Sequence, residues 1–492
     1  MKLQFKVIFF FLCVLCALCG DIFSQWYTYP TYPEYVGYME KWPMDYPQLA
    51  KLYDLGSAGQ ASLSHRVYAM RISDNVGQDE QEPSFLYTST IHGDEVLGYM
   101  SMLHLIDTLL VSYGKDALIT NLIDSVDIWI APNCNPDGTY PRGDYTVEQA
   151  QRRNVADNFD LNRNFPCPCG NHQYGLYSYF AKEIEAIKGV IDSNNFVLAG
   201  DVHGGTEAII YPWCYTDSSH PPDEEWFNYV GAEYLDTVWE YCQNNGYLTG
   251  GIIPCCNGTF ESHGAPIDYM LYFNHCRSIC LELSIRKLLD ESDLERLWGY
   301  NYRSLLNYIK QVLYGIRGTV TDALTGEPLN AQVFIDNHDT LNSHVYSHLP
   351  HGDYYRPIYE GTYDVTFSCD GYHSKTITGV QVENNKATVL DVQLLDISTD
   401  ILFQDDNLQA ISIDICKDRI KINYHSGIPN NKLFTLEIYN VYGRRLYSLS
   451  DSYKNTGSYN VNWDNEKFSS GVYYIKLFSG KDTLIRKAVI VK

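Results

Sequence analysis

From about Trp26 to Tyr314 this chain alternates short apolar runs with helical periodicity, and near Gly315 the helical period stops. Phe85 to Ile91, Ile128 to Ala131 and Phe196 to Ala199 read as strands. Val96 to Val111, with Leu97, Met100, Leu103, Leu105 and Leu109 on its apolar side, and Leu294 to Leu313 read as helices. Strands alternating with helices predict an α/β sheet covered on both faces. In such sheets binding sites gather where strands end. From Ile316 to Leu395 only short alternating runs remain, Arg317 to Thr321, Gln332 to Ile335, Tyr363 to Ser368 and Ala387 to Leu394, which predict a small β-sandwich. A third block from about Leu402 is β again, with strands expected at Leu433 to Asn440, Gly471 to Phe478 and Leu484 to Val491.

The amino terminus sets the compartment. Lys2 and Lys6 precede the apolar run Val7 to Cys19, so residues 1–20 read as a secretory signal peptide, followed by a short segment, 21–44. Cleavage fits the small residues Ala17, Cys19 and Gly20; a lipoprotein site at Cys19 is the alternative, with bulky Leu18 against it. No later stretch is apolar enough to cross a bilayer, so no transmembrane segment is expected in the mature chain. The net charge of −24, from 60 acidic and 36 basic residues, repels nucleic acid. Of the 14 cysteines, three fall in the leader, and the odd remainder leaves at least one thiol without an internal partner. Cys167, Cys169, Cys255 and Cys256 read equally as bridges or as packed thiols.

Two histidines follow apolar runs: His92 in Ile91-His92-Gly93-Asp94-Glu95 and His203 in Asp201-Val202-His203-Gly204-Gly205. His-x-x-Glu on a turn between strand and helix brings an imidazole and a carboxylate to one point, a donor pair suited to zinc. Alone the pair is weak evidence. His203, flanked by glycines that leave room for a ligand, supplies the third donor, and Glu282 in Cys280-Leu281-Glu282-Leu283 offers a base that need not bind the metal. A hydrogen-bonded histidine at a strand end and a strand-buried acid are the plainer alternatives.

These pieces, with Asn135-Pro136-Asp137-Gly138 and Asp160-Leu161-Asn162-Arg163-Asn164-Phe165-Pro166, resemble the zinc metallocarboxypeptidases, or funnelins, over roughly residues 45–314. The resemblance implies a catalytic domain at 45–315 with a mixed central sheet and helices on both faces. It implies one Zn2+ held by His92, Glu95 and His203, with Glu282 as general base and Asp160 behind His92; a structural cap is the rival role for Asp160. Arg163 with Asn162 would clamp the substrate's terminal carboxylate. Arg153 would polarise the scissile carbonyl, with Arg152 its possible surrogate. Peptide and protein C-termini would be the substrates.

Two positions depart from the family pattern. Phe260 stands where a substrate-capping tyrosine is expected and lacks its hydroxyl; Tyr269 or Tyr272 could compensate. Cys214 and Ile267 stand where basic-specific relatives place an acid, which leaves an apolar pocket floor, although Asp268 and Glu261 are close in sequence. The block 316–396, with Gly318-Thr319-Val320-Thr321-Asp322, resembles the transthyretin-like module that follows such domains. Residues 400–492, with Gly443-Arg444, Trp463-Asp464 and Gly471-Val472-Tyr473-Tyr474, resemble the sorting domain of the bacterial type IX secretion system, which implies contact with secretion machinery and a secreted or cell-surface location. A secreted zinc carboxypeptidase is the expectation. A zinc amidase or cell-wall peptide carboxypeptidase, and an inactive peptide-binding module, are the alternatives.

Overall fold

Neighbouring residues on the central strands go to opposite cores. Phe85 and Tyr87, like Ile128 and Ile130, enter one apolar cluster, whereas Leu86, Trp129 and Ala131 enter another, so both faces of the sheet are dry. The computed structural model describes residues 27–143, 145–170, 179–256 and 261–397, and in the C-terminal region 411–415, 419–426, 433–440, 444–452, 457–464, 471–479 and 482–490. The expected signal peptide lies outside the described residues.

The strands are β1 (Ala50–Ser57), β2 (Arg66–Ile72), β3 (Ser84–Ser89), β4 (Asp127–Ala131), β5 (Phe196–His203), β6 (Thr206–Tyr211), β7 (Ile252–Pro254) and β8 (Arg277–Ser284). They pair in the order β1-β2-β4-β3-β5-β8-β6-β7. The run β4-β3-β5-β8 is parallel, and β1, β2 and β6 make antiparallel pairs, so the sheet is mixed. Among the described residues eight helices surround it: α1 (Tyr32–Asp45), α2 (Val96–Ser112), α3 (Ala117–Ile123), α4 (Pro136–Thr139), α5 (Lys182–Ser193), α6 (Glu224–Cys242), α7 (Pro266–Asn274) and α8 (Glu291–Lys310). Residues of α1, α2, α3, α6 and α8 join the first cluster and those of α5 the second, while α7 gives Leu271 to the first and Tyr269 and Met270 to the second. Among the described residues no single helix is long and apolar enough to cross a membrane.

The segment set apart before residue 45 belongs to this core. Thr31 and Glu34 form a reciprocal capping box that starts α1, and Tyr35, Met39 and Trp42, spaced at i, i+4 and i+7, are buried in the first cluster. Pro43, which suggests a boundary in the sequence, lies inside the helix.

The β-sandwich forms as the turn spacing predicts, with extra strands at Val345–Tyr346, Asp353–Arg356 and Lys375–Val382. The single strand expected over Ala387 to Leu394 is interrupted, because the Asp391 carboxylate accepts from Thr319 N at 2.9 Å and from its hydroxyl at 3.0 Å. One compact unit takes in the chain through Val320 with Pro328–Ser368 and Lys375–Val392; the other holds Thr321–Glu327, Cys369–Ser374 and Gln393 onward. Most of the sandwich therefore belongs to the same unit as the α/β sheet.

A buried charge cluster accounts for that union. Asp223, just before α6, accepts from Arg277 Nη2 at 2.9 Å and Arg356 Nη2 at 2.9 Å and lies 3.0 Å from His338 Nε2. Asp223, Arg277 and Arg356 have no exposed side-chain surface, and Arg356 also meets Asp339. In the C-terminal region Ile411–Ile415, Arg419–Ser426 and Gly457–Asp464 form a three-stranded antiparallel sheet; Arg445–Ser452, Leu433–Asn440, Gly471–Ser479 and Asp482–Ile490 form a four-stranded one.

Removing one member of the buried cluster leaves an uncompensated charge, at a cost of about 3–5 kcal/mol. Arg356→Met is expected to lower the thermal midpoint of the first unit markedly, whereas Arg286→Met, an exposed ion-pair member on Asp290 and Asp293, is expected to shift it little. Equal shifts in a calorimetric scan would contradict this account.

Candidate metal centre and active site

The parallel strands β3, β5 and β8 deliver their ends to one edge of the sheet. Ser89 pairs with Val202, Val202 with Leu281, and His203 with Glu282. After β3 the chain turns through Thr90–Glu95 into α2. Gly93 is forced there, because a Cβ would stand 2.4 Å from the carbonyl carbon of Gly138. Asn135 secures the same turn by donating to the carbonyl of Ile91 at 3.1 Å.

His92, Glu95 and His203 meet at this edge, each 2–3% exposed. Their donor atoms lie within 4.8 Å of one another. Glu95 stands between the two imidazoles, with Oε1 2.9 Å from His92 Nδ1 and Oε2 2.8 Å from His203 Nδ1. Each Nε2 is met from behind by a carboxylate: Asp160 Oδ1 lies 3.2 Å from His92 Nε2, and Asp201 Oδ2 lies 2.8 Å from His203 Nε2. Such partners fix the ring orientation and strengthen the opposite nitrogen as a donor. Asp201 is itself held by the Thr88 hydroxyl at 2.8 Å.

The electrostatics favour a cation here. Burial works against charge on Glu95, yet His203 and His92 hold its carboxyl well below the usual carboxylate range. Asp160, also opposed by burial, is held low by His92, Arg152 and Arg163. Burial disfavours a charged His203, but Asp201 and Glu95 hold its imidazole well above the ordinary value. Burial pushes Glu282 up to about 7, against the pull of His203. Its Oε2 is buried with no hydrogen-bond partner among the described residues. Two imidazoles, one carboxylate and a buried orphan oxygen beside them fit a catalytic zinc, which keeps one coordination position open.

Asp160 serves two structures at once: besides reaching His92, it caps the short helix Leu161–Arg163 by accepting from Asn162 N at 3.2 Å. Its second oxygen accepts from Arg152 Nη2 at 3.1 Å. Asn162 and Arg163 line a pocket of about 110 Å3 together with His203, Cys214, Ile267 and Glu282. Gly264, at φ +81°, lets the opposite wall close on this turn, since a Cβ there would lie 2.6 Å from the Arg163 carbonyl oxygen.

Neither Arg153 nor Arg152 is among the pocket-lining groups: Arg153 is exposed and donates to the Asn158 carbonyl at 2.9 Å, while Arg152 lies beside Asp160. Cys214 is half of a disulfide with Cys255, a pairing the sequence left open, and Cys167 is bonded to Cys169. Phe260 lies outside the described residues. Asp268 does not face the pocket: it is fully buried, and its oxygens accept from the backbone of Cys214 and Tyr215.

The sequence reading gave no role to Asp201 or Lys287. Asp201 was findable, since i and i+2 on a strand share a face. Lys287, whose Nζ stands 2.8 Å from Glu95 Oε1, gave no sequence signal.

A two-histidine, one-carboxylate centre with an adjacent acid, at the strand ends of a mixed sheet, defines a zinc-peptidase class of site. The sequence pattern of zinc carboxypeptidases matches residues 35–304, that of a carboxypeptidase regulatory-like domain residues 315–395, and that of a secretion-system C-terminal sorting domain residues 416–492. The chain belongs to the zinc carboxypeptidase family. It is 32% identical to carboxypeptidase D of Homo sapiens over 380 residues, 74% of this chain but only 26% of that protein. Carboxypeptidase M of Mus musculus is 33% identical over 61% of this chain and 70% of its own length. Among solved structures, that of thrombin-activatable fibrinolysis inhibitor shares the fold, with a TM-score of 0.52 at 20% identity over 59% of this chain and 76% of its own.

Asp201→Asn removes the acceptor behind His203 while preserving its shape. Zinc affinity, measured by competition with a chromophoric chelator, is expected to fall about 10–100-fold. Unchanged affinity would remove Asp201 from the metal centre.

Proposed function

We propose that this chain is an exported zinc-dependent carboxypeptidase that releases single residues from peptide C-termini. The observation that carries the reading is the unpartnered Oε2 of Glu282, enclosed beside His203 in the pocket that also contains Arg163, where His203 also meets His92 and Glu95. Zinc held by His92, Glu95 and His203 would supply Lewis acidity and lower the pKa of water.

The residues then divide the work. Glu282 accepts a proton from the attacking water and returns it to the departing amine. Arg163, beside Asn162, presents a planar guanidinium suited to two parallel hydrogen bonds with a terminal carboxylate. For the developing oxyanion the resemblance names Arg153, with its neighbour Arg152, held against Asp160 behind His92, as the surrogate. Phe260 would cover the substrate through its ring alone. The match to a secretion sorting domain supports export through the outer membrane by the type IX route.

Glu282→Gln is expected to retain zinc and to lower kcat about 10²- to 10⁴-fold. In a peptide library followed by mass spectrometry, the wild-type chain is expected to shorten L-peptides one C-terminal residue at a time; internal cuts, or action confined to D-ended peptides, would overturn the assignment. A base must be deprotonated to act, so activity is expected to fall as pH drops through the Glu282 pKa. That acid limb lies at or below about 7, because a nearby dication favours the carboxylate. A rate that rises on acidification would exclude Glu282 as the base.

A further inference from the structure

Beyond Arg163 and Glu282, the lining of the 110 Å3 pocket changes character. Half of its lining is Ile210, the joined Cys214 and Cys255, Ala265, Ile267 and the free thiol of Cys280. Ile210, Ala265, Ile267 and the two disulfide sulfurs cannot ionise, and the Cys280 thiol is buried. Cys214, Ala265, Ile267 and Cys280 are 2–9% exposed and form one small apolar cluster. The disulfide fastens the stretch after β6 to the stretch after β7. Its backbone neighbours hold the wall in place, with Cys256 N donating to Trp213 O at 2.9 Å and Ser262 N to Cys214 O at 2.7 Å.

We propose that the Cys214–Cys255 disulfide is a specificity-determining wall of this pocket, which receives the uncharged aliphatic side chain of the substrate's C-terminal residue and refuses a basic one. The proposal rests on the carboxypeptidase reading and adds the substrate class. A lysine or arginine side chain pushed past the rim would lose hydration and meet no free counter-charge: Asp268 is committed to the backbone of Cys214 and Tyr215, Asp201 to His203 and Thr88, and Glu282 is the base. An aliphatic side chain there sheds water against sulfur and methyl groups. An external dithiol breaks the S–S bond, becomes a cyclic disulfide itself and leaves Cys214 and Cys255 as two separate thiols. The wall is then no longer fastened, and selection weakens.

The test uses zinc-loaded full-length chain and peptides identical except for a C-terminal leucine or lysine. The leucine peptide is expected to be favoured at least tenfold in kcat/KM. Cys214→Ala/Cys255→Ala, or the wild type after treatment with a phosphine reductant that spares the metal, is expected to reduce that ratio at least threefold, with the loss carried by KM. Ile267→Asp, which puts a carboxylate on the floor without touching the disulfide, is expected to raise turnover of the lysine peptide relative to leucine at least tenfold. A wild type that prefers lysine, or a ratio unmoved by loss of the disulfide in protein of unchanged zinc content and thermal midpoint, overturns the inference. Calorimetric binding of both peptides to Glu282→Gln separates the two readings. Tenfold tighter binding of the leucine peptide with no turnover by the wild type sinks the carboxypeptidase reading alone, turnover without preference sinks the pocket inference alone, and neither binding nor turnover sinks both.

Discussion

One carboxylate holds the centre together. Glu95 lies between His92 and His203, and each imidazole is backed by a further carboxylate, so three acids enclose two rings, all five residues only 1–7% exposed. That concentration of negative charge in a dry place is costly unless something positive shares it. The surrounding structure is arranged around that requirement: Thr88 orients Asp201, Arg152 neutralises Asp160, and Lys287 reaches Glu95. Glu282 is spared such a partner, which is why burial dominates its chemistry and leaves it able to exchange a proton near neutrality.

The sheet makes this arrangement possible by register. With β3, β5 and β8 parallel and adjacent, an element that ends one strand is automatically beside the element that ends the next. The loop after β3 brings His92 and Glu95, β5 carries both His203 and its backing acid Asp201, and β8 carries Glu282 level with His203. The substrate end of the site comes from less regular chain, the turn Leu161–Arg163, and glycine at 264 allows the segment leading to α7 to lie directly on it.

Much of this could be read from the residues alone, for physical reasons. Long apolar periods announce α2 and α8, and strand ends with glycines announce His92 and His203, because those signals are local. The helix α1 escaped because Pro43 reads as a boundary while the capping box at Thr31 and Glu34 and the stripe of Tyr35, Met39 and Trp42 act earlier in the chain. That Arg152 rather than Arg153 meets Asp160, and that Cys214 bonds to Cys255, depend on where distant segments meet, and spacing carries no trace of that. The same holds for Lys287, nearly two hundred residues from the carboxylate it touches.

The cluster around Asp223 reaches further than its own neighbourhood. Arg277, one of its two arginines, is the first residue of β8, the strand that bears Glu282, and Arg356 comes from the sandwich. The sandwich thus clamps the root of the catalytic strand through ions that neither module can bury alone. Recombination that exchanged this accessory module for an unrelated one would leave the buried Asp223 with Arg277 as its one remaining arginine, so an incoming module would have to supply a cation in the place of Arg356.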